Sequence, residues 1–205
     1  MNIQRFVVGP LSTNCYLLTC ETTERSVIID PGGVSPELLN AVNGSRLDKI
    51  LLTHGHFDHT MGVTEIMETT GAQMMIHKLD LGMLTDPVGN GSFMMGMELR
   101  VDKKAKLLAD GDEIAFGDCS LTVVHTPGHT PGGVSFVSGD RAVFGGDMLF
   151  RMSVGRWDLP GGDYDTLIAS LRSTFVPMSE DTVVYPGHGE ETTIGFERRY
   201  NQFMQ

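Results

Sequence analysis

Thr53-His54-Gly55-His56-Phe57-Asp58-His59 follows directly on the apolar run Lys49-Ile50-Leu51-Leu52. With seven histidines in 205 residues, three at set positions within six residues arise by chance at roughly 4 in 100,000 per start site, so the cluster is a motif rather than a solvated turn. Two imidazoles at i and i+2, just past a strand, reach one ion. The chain then turns and carries Asp58 and His59 towards a second point nearby. Imidazole and carboxylate together suit zinc, iron or manganese rather than calcium or magnesium. One ion takes three or four protein ligands; four from this stretch are too many for one site and too few for two.

The remaining ligands lie further along, at places of the same kind. Ser26-Val27-Ile28-Ile29 stops at Asp30-Pro31-Gly32-Gly33, Leu121-Thr122-Val123-Val124 at His125-Thr126-Pro127-Gly128-His129, Arg141-Ala142-Val143-Phe144 at Gly145-Gly146-Asp147, and Thr182-Val183-Val184-Tyr185 at Pro186-Gly187-His188. Short β-branched runs bounded by Gly and Pro read as buried strands, and the carboxyl edge of an α/β sheet is where sites are built. His129, Asp147 and His188 complete a set that serves two ions if one carboxylate bridges. Ile3 to Val8 and Cys15 to Thr19 read as two further strands. Ser35-Pro36-Glu37 opens a helix closed by Gly44. Val63, Ile66 and Met67 have helical spacing before Gly71, and Asp163 caps a helix bearing Leu167, Ile168 and Leu171, with Pro177 beyond it. Residues 82–106, with four glycines, Pro87 and four methionines, read as a long loop with one helical turn. The expectation is one mixed α/β domain over residues 1–205.

Composition narrows the function. An apolar fraction of 40% supports a sizeable core and excludes disorder. No run of 18 apolar residues offers a membrane span, and residues 1–10 lack the pattern of a secretory signal. A net charge of −11 disfavours nucleic acid as a partner. Three cysteines make no disulfide framework, so a cytoplasmic protein acting on a small molecule is expected. No Gly-x-Ser-x-Gly elbow is present.

Thr53–His59, then Thr126-Pro127-Gly128-His129-Thr130, Gly146-Asp147 and Pro186-Gly187-His188-Gly189 resemble, in order and across nearly the whole chain, the metallo-β-lactamase superfamily. Gly146-Asp147-Met148-Leu149-Phe150 with Ser153-Val154-Gly155-Arg156 resembles its hydroxyacylglutathione hydrolase (glyoxalase II) branch, in particular the short single-domain bacterial members. The resemblance implies an α/β fold, the four-layer αβ/βα sandwich, with two metals along one edge. It implies that His54, His56 and His129 hold the first metal, that Asp58, His59 and His188 hold the second, and that Asp147 bridges them. The ions implied are two divalent metals, zinc first, with iron or manganese as alternatives. The activity implied is hydrolysis of a small-molecule thioester, S-lactoylglutathione to lactate and glutathione, by hydroxide that Asp58, as a catalytic residue, orients. The helical C-terminal extension that grips glutathione in longer relatives has no counterpart in these residues, and Gly189-Glu190 stands where relatives often place an aromatic. Alternatives on the same fold are a mononuclear iron persulfide dioxygenase, a lactonase or other metallo-hydrolase, and a non-catalytic metal-binding module.

Other residues divide between function and packing. Arg156, nine residues after Asp147, is the candidate partner for an anionic substrate group, against a surface arginine. Asp30 either orients a metal ligand or stabilises its turn. His77 and His125 read as structural, Trp157 and the methionines of 94–97 as packing, and Cys119 as a buried thiol with no cysteine near it in sequence.

Overall fold

The alternation of side chains along each strand decides which layer every residue joins. The computed structural model describes residues 1–139 and 141–205. β1 (Asn2–Val8), β2 (Thr13–Thr19) and β3 (Arg25–Ile29) run antiparallel in turn. Helix α1 (Pro36–Asn43) then crosses over to β4 (Arg46–Leu51), parallel to β3. Helices α2 (Phe57–Thr60) and α3 (Val63–Thr70) lead to β5 (Gln73–His77), and β6 (Lys106–Leu108) completes a sheet in strand order β1-β2-β3-β4-β5-β6. The second half supplies β7 (Glu113–Phe116), β8 (Cys119–His125), β9 (Val134–Ser138) and β10 (Ala142–Gly146). A small ribbon, β11 (Leu149–Phe150) and β12 (Ser153–Val154), and helix α4 (Tyr164–Ser170) follow, then β13 (Val183–Pro186), β14 (Thr192–Thr193) and helix α5 (Ile194–Tyr200). The second sheet has the order β14-β13-β10-β9-β8-β7.

Ile28 and Ile50 face the first helical layer, against Leu38, Val42, Val63 and Ile66. Their neighbours Val27, Ile29 and Leu51 face the other way, against Leu121, Val123, Phe136 and Phe144 of the second sheet. Val143 and Val184 face outward again, onto Leu167, Leu171, Phe175 and Ile194. Helix, sheet, sheet, helix is the expected four-layer sandwich. Each fully buried Leu, Ile or Phe side chain contributes about 1.5–3 kcal/mol.

The helix ends follow their local chemistry. Ser35 Oγ accepts the Leu38 N–H at 3.2 Å, Pro36 takes the first helical position, and Gly71 ends α3 in the left-handed region at φ 73°.

Two expectations need correction. Residues 82–106 hold two 3-10 turns, Leu81–Thr85 and Ser92–Met95, and their last residue, Lys106, begins β6. Side-chain amides replace regular structure there: Asn90 Nδ2 donates to the carbonyls of Met83 (3.0 Å) and Leu99 (3.1 Å). Cys119 is only partly buried and lies against Cys20, which tertiary structure brings to it from the end of β2.

Candidate metal centre

The carboxyl ends of β3, β4 and β5 in one sheet and of β8, β10 and β13 in the other open onto the same edge. Asp30 follows β3, His54 follows β4, His129 follows β8, Asp147 follows β10 and His188 follows β13. The two halves are stitched at this edge. Asn14 N–H donates to Gly187 O at 2.7 Å, Asn14 Nδ2 to Pro186 O at 2.9 Å, and Val134 N–H to Thr53 O at 2.8 Å.

His54, His56 and His129 bring ring nitrogens within 4.8 Å of one another, and a ligand-atom set of the same spread forms from Asp58, His59 and His188. His56 Nδ1 and His129 Nε2 lie 2.9 Å apart. Asp147 stands between the two groups: Oδ1 is 3.3 Å from His59 Nε2, while Oδ2 is 3.6 Å from both His129 Nε2 and His188 Nε2. Asp58 Oδ2 lies 3.1 Å from His188 Nε2 and accepts from Thr13 Oγ1 at 3.2 Å. All seven residues singled out as ligands thus converge on one edge. Burial deepens from the His188 side chain, 26% exposed, to His59 at 0%.

Burial and the crowding of imidazoles around it hold the His54 ring well below the usual histidine range. Burial, with His129 adding to it, brings His56 down to about 3. Burial alone would lower His59 as well, but the carboxylates of Asp58, Asp147 and Asp30 outweigh it and raise the ring well above the ordinary value. His188 is raised for the same reason, chiefly by its bond to Asp58. Asp58 and Asp147 are lowered: burial works against the charge, and His59 and its neighbours overcome it.

A metal fits these residues on the structure's own terms. Among the described residues, His54 Nε2, His56 Nε2, His59 Nε2 and Asp147 Oδ1 are buried polar atoms with no hydrogen-bond partner. Such atoms cost about 1–3 kcal/mol each when left unsatisfied, and here all four belong to residues that converge on the same edge. Neutral imidazoles beside ionised carboxylates are a divalent-metal donor set.

Supporting residues fix the ligands. Asp30 Oδ2 takes the His59 Nδ1 proton at 2.9 Å and the Thr53 hydroxyl at 2.5 Å, while Oδ1 takes the Thr53 N–H at 2.8 Å. Of its two possible roles, the Asp30 side chain fills the first: it orients His59 so that Nε2 faces the site, and its other two bonds hold Thr53, just before His54, rather than its own turn. Asp80, which the sequence reading passed over, is fully buried and ties the two histidine loops together. It accepts from Gly55 N–H (3.0 Å), the Thr130 hydroxyl (2.7 Å) and Gly132 N–H (2.6 Å). Its one available signal was position: an acid three residues past the end of β5. Burial raises its pKa, and the three donors offset part of that shift.

Arg156 reaches the site through its main chain, with His129 Nδ1 donating to its carbonyl at 2.6 Å. Its guanidinium is held by Asp158 through Nε (2.8 Å) and Nη2 (2.9 Å). His77 and His125 stack at 4.4 Å, away from the ligands, and Trp157 packs edge-on to Tyr164.

A family model described as the metallo-beta-lactamase superfamily matches residues 8–188. The chain belongs to that superfamily. It is 40% identical over 220 residues to an uncharacterized protein of Mycobacterium tuberculosis, covering 100% of this chain and 98% of that one. It is 32% identical over 210 residues to the hydroxyacylglutathione hydrolase GloC of Haemophilus influenzae, covering 100% and 98%. Among solved structures, the BLEG-1 B3 metallo-beta-lactamase superposes with a TM-score of 0.93 at 37% identity over the full length of both chains. TTHA1623 in a di-iron-bound form gives 0.85 at 39% identity, covering 98% of this chain and 99% of that one. This is a metallo-hydrolase fold with a His/Asp divalent-metal centre.

Proposed function

We propose that the chain is a dinuclear metal hydrolase of thioesters of the hydroxyacylglutathione type, with S-lactoylglutathione as the test substrate. The observation that carries this reading is Asp147, whose carboxylate approaches members of both histidine groups at 3.3–3.6 Å. His54, His56 and His129 would hold one ion, and Asp58, His59 and His188 the other, with Asp147 shared. Zinc is the proposed metal, with iron or manganese as alternatives; a relative solved in a di-iron-bound form supports iron. When bound, such ions acidify water and polarise a carbonyl. Asp58, kept ionised by His59 and His188 and steadied by Thr13, accepts a hydrogen bond from the attacking water and aims it. Asp30 holds His59 in the tautomer that leaves Nε2 free. The leaving thiol has an ordinary pKa near 8.5, so it departs as thiolate, and the chain needs no proton donor on that side. The 32% identical hydroxyacylglutathione hydrolase supports the thioester as substrate.

The test is release of free thiol from S-lactoylglutathione by the zinc-loaded protein. Hydrolysis that disappears on chelation and returns with metal is expected. Absence of thiol release, with oxygen uptake on glutathione persulfide by the iron-loaded protein, would replace the reading by an iron dioxygenase.

A further inference from the structure

A cavity of about 380 Å³ opens beside the ligand cluster, within the range of small-molecule sites. Its floor includes Asp58, His129, Asp147 and His188. Its walls are Leu11, Phe57, Met94, Met95, Phe150 and Leu159. Met94 and Met95 are 64% and 50% exposed, so nothing in the described chain covers them.

That exposure is built into the backbone. The Ser92–Met95 turn lies between Gly91 (φ 81°) and Gly96 (φ 71°), both in the left-handed region. Ser92 N–H donates to Asn90 Oδ1 at 3.0 Å, Leu99 N–H to Ser92 Oγ at 3.1 Å, and Met97 N–H to Ser92 O at 3.0 Å. Phe57 N–H donates to Asn90 O at 2.9 Å, which couples this lip to the helix carrying Asp58 and His59. Unbranched thioether side chains on a fixed turn present an adaptable apolar surface.

Charge points the same way. Arg156 is the one Arg or Lys among the described residues lining the cavity, and Asp158 already holds it through two donors. A carboxylate on the acyl arm would meet a guanidinium whose charge Asp158 already offsets, in a chain of net charge −11.

We infer that Met94 and Met95 form a subsite for an uncharged, apolar arm of the substrate, so that the preferred substrates are thioesters whose acyl chain is neutral and aliphatic. The inference rests on the thioester reading above and narrows its substrate class.

The test is a series of N-acetylcysteamine thioesters, acetyl, butanoyl and hexanoyl, beside ω-carboxylated chains of matched length, on zinc-loaded protein. kcat/KM is expected to rise by up to about fourfold per added methylene, and a terminal carboxylate to lower it by about tenfold or more. Met94→Ser/Met95→Ser should flatten the chain-length dependence, and Met94→Leu/Met95→Leu should keep it. Nile red fluorescence, which senses apolar surface without any reaction, should fall in the serine variant alone. Cleavage with no chain-length dependence, or with anionic chains preferred, would overturn the inference and leave the hydrolase reading standing. If no thioester is cleaved, the hydrolase reading fails and Nile red decides the subsite. Loss of its signal in the serine variant supports the apolar site, and equal binding by both proteins overturns it.

Discussion

In the proposed two-metal centre, Asp147 would stand between two dications, where its carboxylate would lower their repulsion and fix their spacing. Asp147→Ala should therefore lose at least one equivalent of metal and most hydrolysis; elemental analysis of purified protein, paired with the thiol-release assay, checks both. Retention of two equivalents at a near-normal rate would move the bridge to another residue. His59 makes a second, independent statement. Three carboxylates raise its pKa well above the ordinary 6.5, so without metal the ring carries a proton at neutral pH. Nδ1–H stays on Asp30, and Nε2 must give up its proton to bind metal. Metal uptake near pH 7 should thus release protons, and affinity should strengthen with rising pH until the raised pKa of His59 is passed. Titration calorimetry in buffers of differing ionisation enthalpy reads this directly. A buffer-independent heat would show that His59 is already neutral.

At the scale of elements, the ligands depend on turns that tolerate no side chain. Gly128 has φ 130°, and a Cβ on it would stand 2.2 Å from Leu167 Cα and 2.3 Å from Leu167 N, in the backbone of α4. Gly128→Ala should cost about 3 kcal/mol or more, from strain and overpacking together, and should displace the loop that aims His129. Urea unfolding measures it, and an unchanged midpoint would mean that α4 does not seat against this turn. Such turns were legible in the sequence because each combines a buried apolar run, a glycine and a His or Asp. Elements lacking that combination were not. β7 exposes Glu113 and Ala115 at a sheet edge, and β9 carries two serines in five residues. α5 has Gly195 in its first turn, which masks helical propensity although Thr193 caps it. Asp80 stands between two leucines with no motif around it; its partners Thr130 and Gly132 are 50 and 52 residues away. The Arg156 side chain shows the opposite limit. Its place beside the cleft followed from sequence, but its engagement by Asp158 two residues on did not.

Across the whole molecule, the centre lies on the seam between the sheets, with His54, His56, Asp58 and His59 from one half and His129, Asp147 and His188 from the other. A metal held by these ligands would join the halves, and chelation should then lower the thermal midpoint of the entire protein rather than loosen one loop. At free metal 100 times its Kd, the linkage is worth about 2.7 kcal/mol; calorimetric scans with and without chelator measure it, and an unchanged midpoint would place the ions outside the folding unit. The central claim, that seven side chains form one two-metal centre, is tested most directly by a crystal structure of metal-loaded protein with anomalous scattering at the metal edge. The account predicts two peaks about 3.5–4 Å apart, with Asp147 touching both. A single well-occupied peak, with Asp58 and His188 turned away from it, would contradict it.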